Sequence, residues 1–519
     1  MAKNSRALAL LLAALMAAAC LFGACGKGGE GGEGGEETEK PGTAETAAPA
    51  ETGGEETSDT ARETGTGAPG SAQNTGVAAP AAVSGTLTKT AELDLTELTS
   101  PSKTRSGVIY TKNGKKGVRS YDGKSGTDAV YTDLDGSDYP GLFKASTSEK
   151  APDKGDLSTL NVSGLIDGAG KAVIPLEYAL IDISGRFARA VKVTGITTDR
   201  DKTLVYLADS GFSIAPGPND TLMEGEWVVF DLLTGRQIPG IKETAQASVT
   251  VKGSVFTWRT AEGSFAAAPD GSRLPENADV FRDGSYAVKE NDTTRLYDAQ
   301  GTERFSFGRD RYQSLSAANE DGLYIARGAD GSYVIDAAGK ALSAALDSPK
   351  YVFADAAIAD NKVVDLNGRQ LFDGEFNMMS KDSRTGTYYV AYNSGDDKSF
   401  VFFTADGTEI FRGVKGQDGI DYNSSEMTLW QEKDGTKVYY DFSAGTFSVP
   451  AHNASVRSGM IATGERGSRA LIDLYTGRQL LEGYDSIEIY RNEQTKALTV
   501  AAERTDSENN KKILEIYSY

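Results

Sequence analysis

Apart from its carboxylates, this chain has few side chains that could perform nucleophilic, acid–base or metal chemistry. Its 519 residues include one histidine, His452 in the segment SVPAHNASV, and two cysteines, Cys20 and Cys25. A Ser-His-Asp site would have to use His452, but no G-x-S-x-G segment accompanies it. The same counts exclude zinc sites built from several His and Cys ligands, and no G-x-x-x-x-G-K-[ST] phosphate-binding loop is present. We therefore expect His452 to lie on a surface loop without a catalytic role.

The 74 acidic residues leave two kinds of chemistry open. The segment TDLDGSD places Asp133, Asp135 and Asp138 at the alternating spacing of oxygen ligands that Ca²⁺ favours. These residues are weak metal candidates, because the segment lacks the bidentate Glu that completes an EF-hand loop. Glycan hydrolysis needs two carboxylates roughly 5 to 10 Å apart, a distance that the sequence does not reveal.

The net charge of the chain argues against one class of partner. Against its 74 acidic residues stand 54 Lys and Arg, which gives a formal charge of −20 and a pI near 4.7. Such a field repels phosphate backbones. We predict no nucleic-acid partner and no cofactor.

Residues 1–24 are predicted to be a lipoprotein signal peptide. Lys3 and Arg6 precede a 16-residue apolar run at positions 7–22. A membrane span needs about 20 apolar residues, so this run is short for a span and typical of a signal h-region.

The segment LFGAC that follows resembles the lipobox of bacterial lipoproteins, whose cysteine becomes diacylated and forms the mature N-terminus. This resemblance assigns lipidation to Cys25, although Phe22 occupies the position where the family usually has Leu. Cys20 is the rival position, and an ordinary cleaved secretory signal is the alternative. If cleavage precedes Cys25, the mature chain has one cysteine and can form no disulfide within itself.

Residues 25–85 are predicted to be a disordered linker rich in Gly, Glu, Thr and Ala. Positions 26–84 contain eleven acidic and three basic residues and almost no large apolar side chains. Burial therefore cannot offset the entropy lost on ordering. A coil of about 60 residues spans on the order of 45 Å, which makes this segment a spacer.

From residue 86 to 519 the sequence alternates short apolar runs with turn residues. The segment GLIDGAGKAVIPLEY, residues 164–178, reads as a strand, a turn and a returning strand. The turn Asp can bond the turn backbone, and the Gly can adopt the left-handed conformation. The same order recurs at residues 227–238, 294–305, 332–342, 362–372, 400–411, 438–449 and 470–481. We assign as structural turn residues Asp167, Gly170, Asp231, Gly235, Asp298, Gly301, Asp336, Gly339, Asp365, Gly368, Asp441, Gly445, Asp473 and Gly477.

The spacing of these turns predicts the fold class. The turn Asp residues at 298, 336, 365, 406, 441 and 473 follow one another at 38, 29, 41, 35 and 32 residues. Periods of about 30 to 45 residues with several strands each are typical of propeller blades. We predict an all-β fold of tandem β-hairpin repeats that is β-propeller-like, with an open β-solenoid as the alternative and a β-sandwich as the non-repetitive competitor.

One copy resembles the WG-repeat family of bacterial proteins. The residues of this copy that match the family are Gly164, Asp167, Gly170, Lys171, Ile174, Pro175, Tyr178, Phe187, Ala190 and Val191. The last copy matches through Asp473, Gly477, Arg478, Tyr484 and Asp485. The Trp that names the family is replaced by Ser163 in the first copy. The resemblance implies an all-β repeat protein, and the family brings no established catalytic chemistry.

Two functions from different classes follow from these features. In the first, a lipid-anchored β-repeat domain on the extracytoplasmic face of the cell membrane acts as a binding or scaffolding module at the bacterial cell envelope. Its partners would be the membrane, through the N-terminal lipid, and an envelope protein or a neutral glycan. In the second, the chain is an exported glycan hydrolase that uses paired carboxylates. The absence of catalytic motifs favours the first function, although a fold does not fix a function by itself.

Overall fold

A computed structural model describes residues 73–74, 85–150, 161–196, 203–208, 211–213, 221–239, 250–260, 263–395, 398–492 and 495–519. The predicted signal peptide, Cys25 and nearly all of the predicted linker lie outside the described residues. The chain divides into two units, Met1–Thr66 and Gly67–Tyr519, and every described residue belongs to the second. Among the described residues, no helix has the length and apolar character that crossing a membrane requires.

The described residues form short antiparallel strands, without an α-helix among them and with one 3-10 turn at Gln417–Gly419. The strands of the N-terminal half are β1 (Gln73–Asn74), β2 (Thr88–Asp94), β3 (Ser102–Lys103), β4 (Gly107–Lys112), β5 (Lys115–Ser120), β6 (Asp133–Gly136), β7 (Leu142–Lys150), β8 (Asn161–Asp167), β9 (Ala172–Tyr178), β10 (Leu180–Ser184), β11 (Phe187–Ile196), β12 (Thr203–Ala208), β13 (Gly211–Ser213), β14 (Thr221–Asp231), β15 (Arg236–Gln237), β16 (Thr250–Lys252), β17 (Val255–Thr260) and β18 (Gly263–Ala267).

The strands of the C-terminal half are β19 (Ala278–Val280), β20 (Tyr286–Glu290), β21 (Thr293–Tyr297), β22 (Glu303–Gly308), β23 (Ser314–Ala317), β24 (Leu323–Arg327), β25 (Ser332–Asp336), β26 (Ala356–Ala359), β27 (Lys362–Asp365), β28 (Met378–Lys381), β29 (Tyr388–Tyr392), β30 (Ser399–Thr404), β31 (Glu409–Val414), β32 (Ile420–Asn423), β33 (Thr428–Lys433), β34 (Thr436–Asp441), β35 (Thr446–Ala451), β36 (Ser455–Arg457), β37 (Met460–Thr463), β38 (Arg469–Asp473), β39 (Arg478–Tyr484), β40 (Ser486–Arg491), β41 (Leu498–Asp506) and β42 (Lys511–Ser518).

These strands assemble into eleven small antiparallel sheets, which we number along the chain. Sheet 1 contains β3–β5, sheet 2 β6–β9, sheet 3 β10–β15, sheet 4 β16–β18, sheet 5 β19–β22, sheet 6 β23–β25, sheet 7 β26–β27, sheet 8 β28–β31 with β1 at its edge, sheet 9 β32–β35, sheet 10 β36–β39, and sheet 11 β40–β42 with β2 at its edge. Within a sheet, strands adjacent in sequence are mostly hydrogen-bonded neighbours. The fold is therefore a tandem array of hairpin units, as the spacing of the turns predicts.

The hydrophobic core lies between successive sheets. In β30, the side chains from Phe400 to Phe403 are all buried. Successive residues of a strand point to opposite faces, so Val401 and Phe403 pack towards sheet 7 while Phe400 and Phe402 pack towards sheet 9. Because other sheets cover both faces of sheet 8, β30 has a continuous run of apolar residues instead of alternating apolar and polar ones.

The two ends of the array meet. Strand β2 pairs with the C-terminal strand β42, from Thr88 opposite Ser518 to Asp94 opposite Ile513. Leu514 and Ala501 of sheet 11 then form a buried cluster with Val108 of sheet 1. The circuit of inter-sheet contacts is closed, as in a β-propeller and unlike an open solenoid.

A buried carboxylate joins the two strands that close the circuit. Glu515 of β42 accepts hydrogen bonds from Lys89 of β2 (2.7 Å), from Tyr517 (2.7 Å) and from Tyr484. Burial by itself would raise the pKa of Glu515, but the hydrogen bonds from Lys89, Tyr484 and Tyr517 outweigh it and lower the pKa to about 2. Glu515 is therefore ionised at neutral pH, and its ion pair with Lys89 joins β42 to β2.

Candidate functional site

The predicted turn residues fall into two structural classes, and the first is a five-residue hairpin turn. Oδ1 of Asp167 accepts hydrogen bonds from the amides of Ala169 and Lys171, each at 2.9 Å. Gly170, three residues after the Asp, has a φ of +84°, which only glycine adopts without strain. The same bonds and the same left-handed glycine occur at Asp298 with Gly301, Asp336 with Gly339, and Asp365 with Gly368.

In the second class, the left-handed glycine follows the Asp by four residues instead of three. This spacing occurs at Asp231 with Gly235, Asp441 with Gly445, and Asp473 with Gly477. The residue directly after the Asp is Leu232, Phe442 or Leu474, and each of these side chains is buried. These turns therefore insert a large apolar side chain into the core. In the five-residue turns the residue after the Asp is Gly168, Ala299, Ala337 or Leu366, and only Ala299 is buried.

Three turns of the longer kind pack together where sheets 8, 9 and 10 meet. One of them, Asp382 to Gly386, has the same spacing but was not among the predicted turns. The amide of Phe442 donates to the carbonyl of Leu474 (2.9 Å) across two sheets. The ring of Tyr388 lies 5.1 Å from that of Phe442 and 4.6 Å from that of Tyr475.

A buried ion pair occupies the centre of this junction. Arg384 binds Asp473 through two parallel hydrogen bonds of 2.7 and 3.0 Å, and their side chains are 6% and 1% exposed. The guanidinium also lies over the rings of Tyr475 (4.4 Å) and Tyr519 (5.2 Å). Burial and the nearby Asp382 raise the pKa of Tyr475 well above its usual value, so this phenol remains a hydrogen-bond donor.

Asp473 of sheet 10 pairs with an arginine of sheet 8, Arg384, because sheet 10 has no space for an arginine at the equivalent position. In sheet 3, Arg186 pairs with the turn Asp231 of the same sheet, and its carbonyl accepts the amide of Leu232. In sheet 10, the carbonyl that accepts the corresponding amide belongs to Gly459. A Cβ at Gly459 would lie 2.3 Å from the ring of Tyr475, so only glycine fits.

The junction contains two buried carboxylates, but they are committed to the fold. Asp382 accepts the amides of Arg384 and Thr385, the hydroxyl of Thr385 and the phenol of Tyr475. Asp473 accepts the amide of Tyr475, both ends of the Arg384 fork and the phenol of Tyr519. Each of the four oxygens already has two donors. This pair stabilises the meeting of three sheets and presents no unoccupied carboxylate to a glycan.

The predicted metal candidates lie at the exposed edge strand β6 and the turn after it. Asp133 binds Lys116 (2.5 Å), and Oδ1 of Asp138 lies 3.6 Å from Nη1 of Arg105. Asp135 is exposed on the same side of β6 as Asp133. Within the ranges that the structure describes, no group of three or more His, Cys, Asp or Glu side chains is arranged to hold a metal.

The one histidine lies in the exposed turn between β35 and β36. The amide of His452 donates to the hydroxyl of Thr463 (2.9 Å), and its side chain is exposed.

A cleft of about 440 Å³ opens where sheet 11 meets sheet 1, and we name it the closure cleft. Its wall combines the rings of Tyr121 and Tyr517 with the hydroxyls of Thr90 and Ser518. Arg105 also lines it, and that guanidinium donates to the carbonyl of Asp138 (2.8 Å). Burial raises the pKa of Tyr121, as does the nearby charge of Glu488, so the phenol stays protonated.

Aromatic faces beside fixed hydroxyls suit a polyhydroxylated ligand, and the volume lies within the usual range of ligand sites. The wall is assembled from residues about 400 positions apart in sequence, and no local motif marks them. Only the pairing of β2 with β42 could have indicated the closure cleft.

No family model and no curated protein matches the chain. Among solved structures, BamB from Moraxella catarrhalis has 13% identity and a TM-score of 0.21, over 63% of this chain and 100% of its own. A eukaryotic initiation factor has 8% identity and a TM-score of 0.24, over 62% and 88%. The extracellular domain of the putative one component system BT4673 from B. thetaiotaomicron has 11% identity and a TM-score of 0.15, over 80% and 65%. At these scores the likenesses support no functional argument, and the assignment of the fold rests on the sheets themselves.

Proposed function

We propose that this chain is a lipid-anchored, surface-exposed β-repeat protein that acts as a binding or scaffolding module at the bacterial cell envelope. The observation that supports this proposal most directly is the closure cleft. It offers aromatic rings and positioned hydroxyls to a ligand, whereas the buried carboxylates Asp382 and Asp473 are fully used by the fold. Such a surface recognises a ligand without needing to transform it.

The N-terminal sequence supports the location in this proposal. A lipobox-like segment ending at Cys25 would attach two acyl chains, which hold a protein at a membrane far more firmly than one chain does. The acidic spacer of residues 25–85 would lift the β-repeat domain on the order of 45 Å from the bilayer. The acidic character of the chain disfavours anionic polymers as general partners, so a neutral glycan or an envelope protein is the partner class proposed for the closure cleft.

Cell fractionation tests the anchor. Cys25→Ala should move the protein from the membrane pellet to the soluble fraction, because the acylated residue is lost. Cys20→Ala should leave the protein in the pellet and serves as the matched control. Equal membrane retention of the two variants would disprove lipidation at Cys25.

A second experiment separates binding from hydrolysis. The chain without its signal peptide is titrated with neutral oligosaccharides and incubated with the same glycans in a panel of glycosidase assays. We expect saturable binding that Tyr517→Ser weakens. Tyr333→Ser, which changes a half-buried tyrosine of sheet 6 outside the closure cleft, should leave the binding unchanged. Turnover of a glycan that is abolished by replacing one Asp or Glu would establish the hydrolase alternative instead.

A further inference from the structure

A second cleft, of about 560 Å³, lies between sheet 6 and the segment of residues 346–350 that leads to sheet 7, and it has a different chemical character. We name it the Arg327 cleft. Its wall contains the cations of Arg327 and Lys350, the carboxylate of Asp347 and the hydroxyls of Ser314 and Ser316, without an aromatic ring. This composition distinguishes it from the closure cleft.

The cleft exists because the edge strand β23 of sheet 6 presents small residues on one face. In β23, Leu315 is buried while Ser314 and Ser316 on either side of it are exposed. Ser314 lies opposite Arg327, and Ser316 opposite Ile325, on the neighbouring strand β24. The short serine side chains leave open the space between sheet 6 and residues 346–350, and Arg327 lines this space.

The segment that crosses the cleft is fixed at both ends. Ser332 and Leu346 exchange two main-chain hydrogen bonds of 2.8 and 2.9 Å on the sheet 6 side. Lys350 and Ile358 exchange two more, of 2.7 and 2.9 Å, on the sheet 7 side. The backbone of Lys350 is therefore fixed before any ligand arrives, so that binding has to order only its side chain.

The two cations of the cleft have no ion-pair partner in the part of the chain that the structure describes. Arg327 and Lys350 are both exposed, and neither side chain donates to a described carboxylate. Some other exposed cations of this acidic chain do have an acid nearby, as Arg295 has Glu303 at 2.9 Å. Arg327 and Lys350 therefore place two positive charges on one cleft, where both are available to an anionic ligand.

We propose that the Arg327 cleft binds a sugar acid, that is, a hydroxylated ring that bears one carboxylate. An arginine fork matches a carboxylate in two parallel hydrogen bonds, and Lys350 adds a second positive charge. Together with Asp347 the cleft has one net positive charge, which fits a single carboxylate better than a doubly charged phosphate. The oxygens of Asp347, Ser314 and Ser316 accept hydrogen bonds from the ring hydroxyls. This second site goes beyond the function proposed above and depends on neither the lipid anchor nor the closure cleft.

Isothermal titration of the chain without its signal peptide tests this assignment, with trigalacturonate as the probe. The comparison ligands are neutral galactotriose, inorganic phosphate and triglutamate. We expect saturable binding of trigalacturonate alone, weakened by raising NaCl from about 50 to about 500 mM because the attraction is screened. Arg327→Gln should weaken it about tenfold, and Lys350→Gln several-fold. Lys289→Gln, an exposed lysine of sheet 5, is the matched control and should leave the affinity unchanged.

Far-UV circular dichroism of each variant confirms that the fold is retained, as expected for exposed positions. No saturable binding of trigalacturonate, or equal binding of galactotriose, would overturn the assignment. Tighter binding of triglutamate or phosphate than of trigalacturonate would do the same, because the cleft would then select another anion. If trigalacturonate binds as expected but no neutral glycan binds at the closure cleft, only the function proposed above is disproved.

Discussion

The ion pair that closes the circuit of sheets makes a specific prediction about acid stability. Glu515 is ionised in the folded chain with a pKa of about 2, whereas a free Glu side chain has a value of 4.5. A difference of this size corresponds to roughly 3 kcal/mol of folding free energy at neutral pH. The Lys89 side chain is 40% exposed, so solvent screening lowers the expected contribution to about 2 kcal/mol.

The substitution Glu515→Gln tests this value. Glutamine keeps an oxygen that can accept from Tyr484 and Tyr517 but removes the charge that binds Lys89 and, at 3.3 Å, Arg504 of β41. We expect the free energy of unfolding at pH 7, measured by urea denaturation with far-UV circular dichroism, to fall by about 2 kcal/mol. Glu92→Gln is the matched control, because Glu92 contacts the same lysine from an exposed position and should contribute less than about 1 kcal/mol.

The pH dependence has a defined sign. A carboxyl whose folded pKa is depressed stabilises the fold fully above the unfolded pKa and loses that contribution as the pH falls through the folded pKa. The difference in unfolding free energy between the natural chain and Glu515→Gln should therefore be constant above about pH 5 and vanish towards pH 2. A difference that is already absent at pH 7, or that persists unchanged at pH 2, would refute this explanation of the closure.

Three further predictions concern the junction and the fold. Asp473→Asn should lower the free energy of unfolding, measured by urea titration, by about 3 to 5 kcal/mol, because the buried guanidinium of Arg384 loses its counter-ion. Asp231→Asn is the comparison: its partner Arg186 is 43% exposed, so the loss should be about 1 kcal/mol. Gly459→Ala should lower the thermal midpoint more than Gly435→Ala; both glycines have positive φ (+73° and +76°), but a Cβ meets an obstacle only at the first. Residues 86–519 expressed alone should give a strand-dominated circular dichroism spectrum, and a helical spectrum would contradict the fold described above.

Much of the fold could be predicted from the sequence because its repeating unit is local. A hairpin turn such as Asp167 to Lys171 is decided within five residues, by a carboxylate that bonds two amides and a glycine that adopts a positive φ. The recurrence of that unit every 30 to 40 residues indicates an array of small sheets, since one hairpin cannot bury its own apolar face. The all-β class and the propeller-like character follow from these local terms, and the sheets confirm both.

The sequence did not separate the two kinds of turn, although the signal is present in it. Glycine follows Asp by three residues at Asp298 and by four at Asp441. In the longer turns at Asp231, Asp441 and Asp473, the residue after the Asp is a buried apolar side chain. The four-residue spacing to a left-handed glycine also marks Asp382, which was not among the predicted turns, although the exposed Ser383 follows it.

Only the tertiary structure decided which distant residues meet. Nothing near Asp473 indicates that its partner is Arg384, 89 residues earlier, because that pairing depends on the missing side chain at Gly459. The pairing of β2 with β42, the closure cleft and the Arg327 cleft likewise depend on how eleven sheets pack in three dimensions. Hydrogen bonds within a turn act over a few residues and can be read along the chain. Charge pairing and cleft shape depend on which sheets become neighbours. That arrangement is determined only in the tertiary structure, where the two ends of the chain pair and close the circuit.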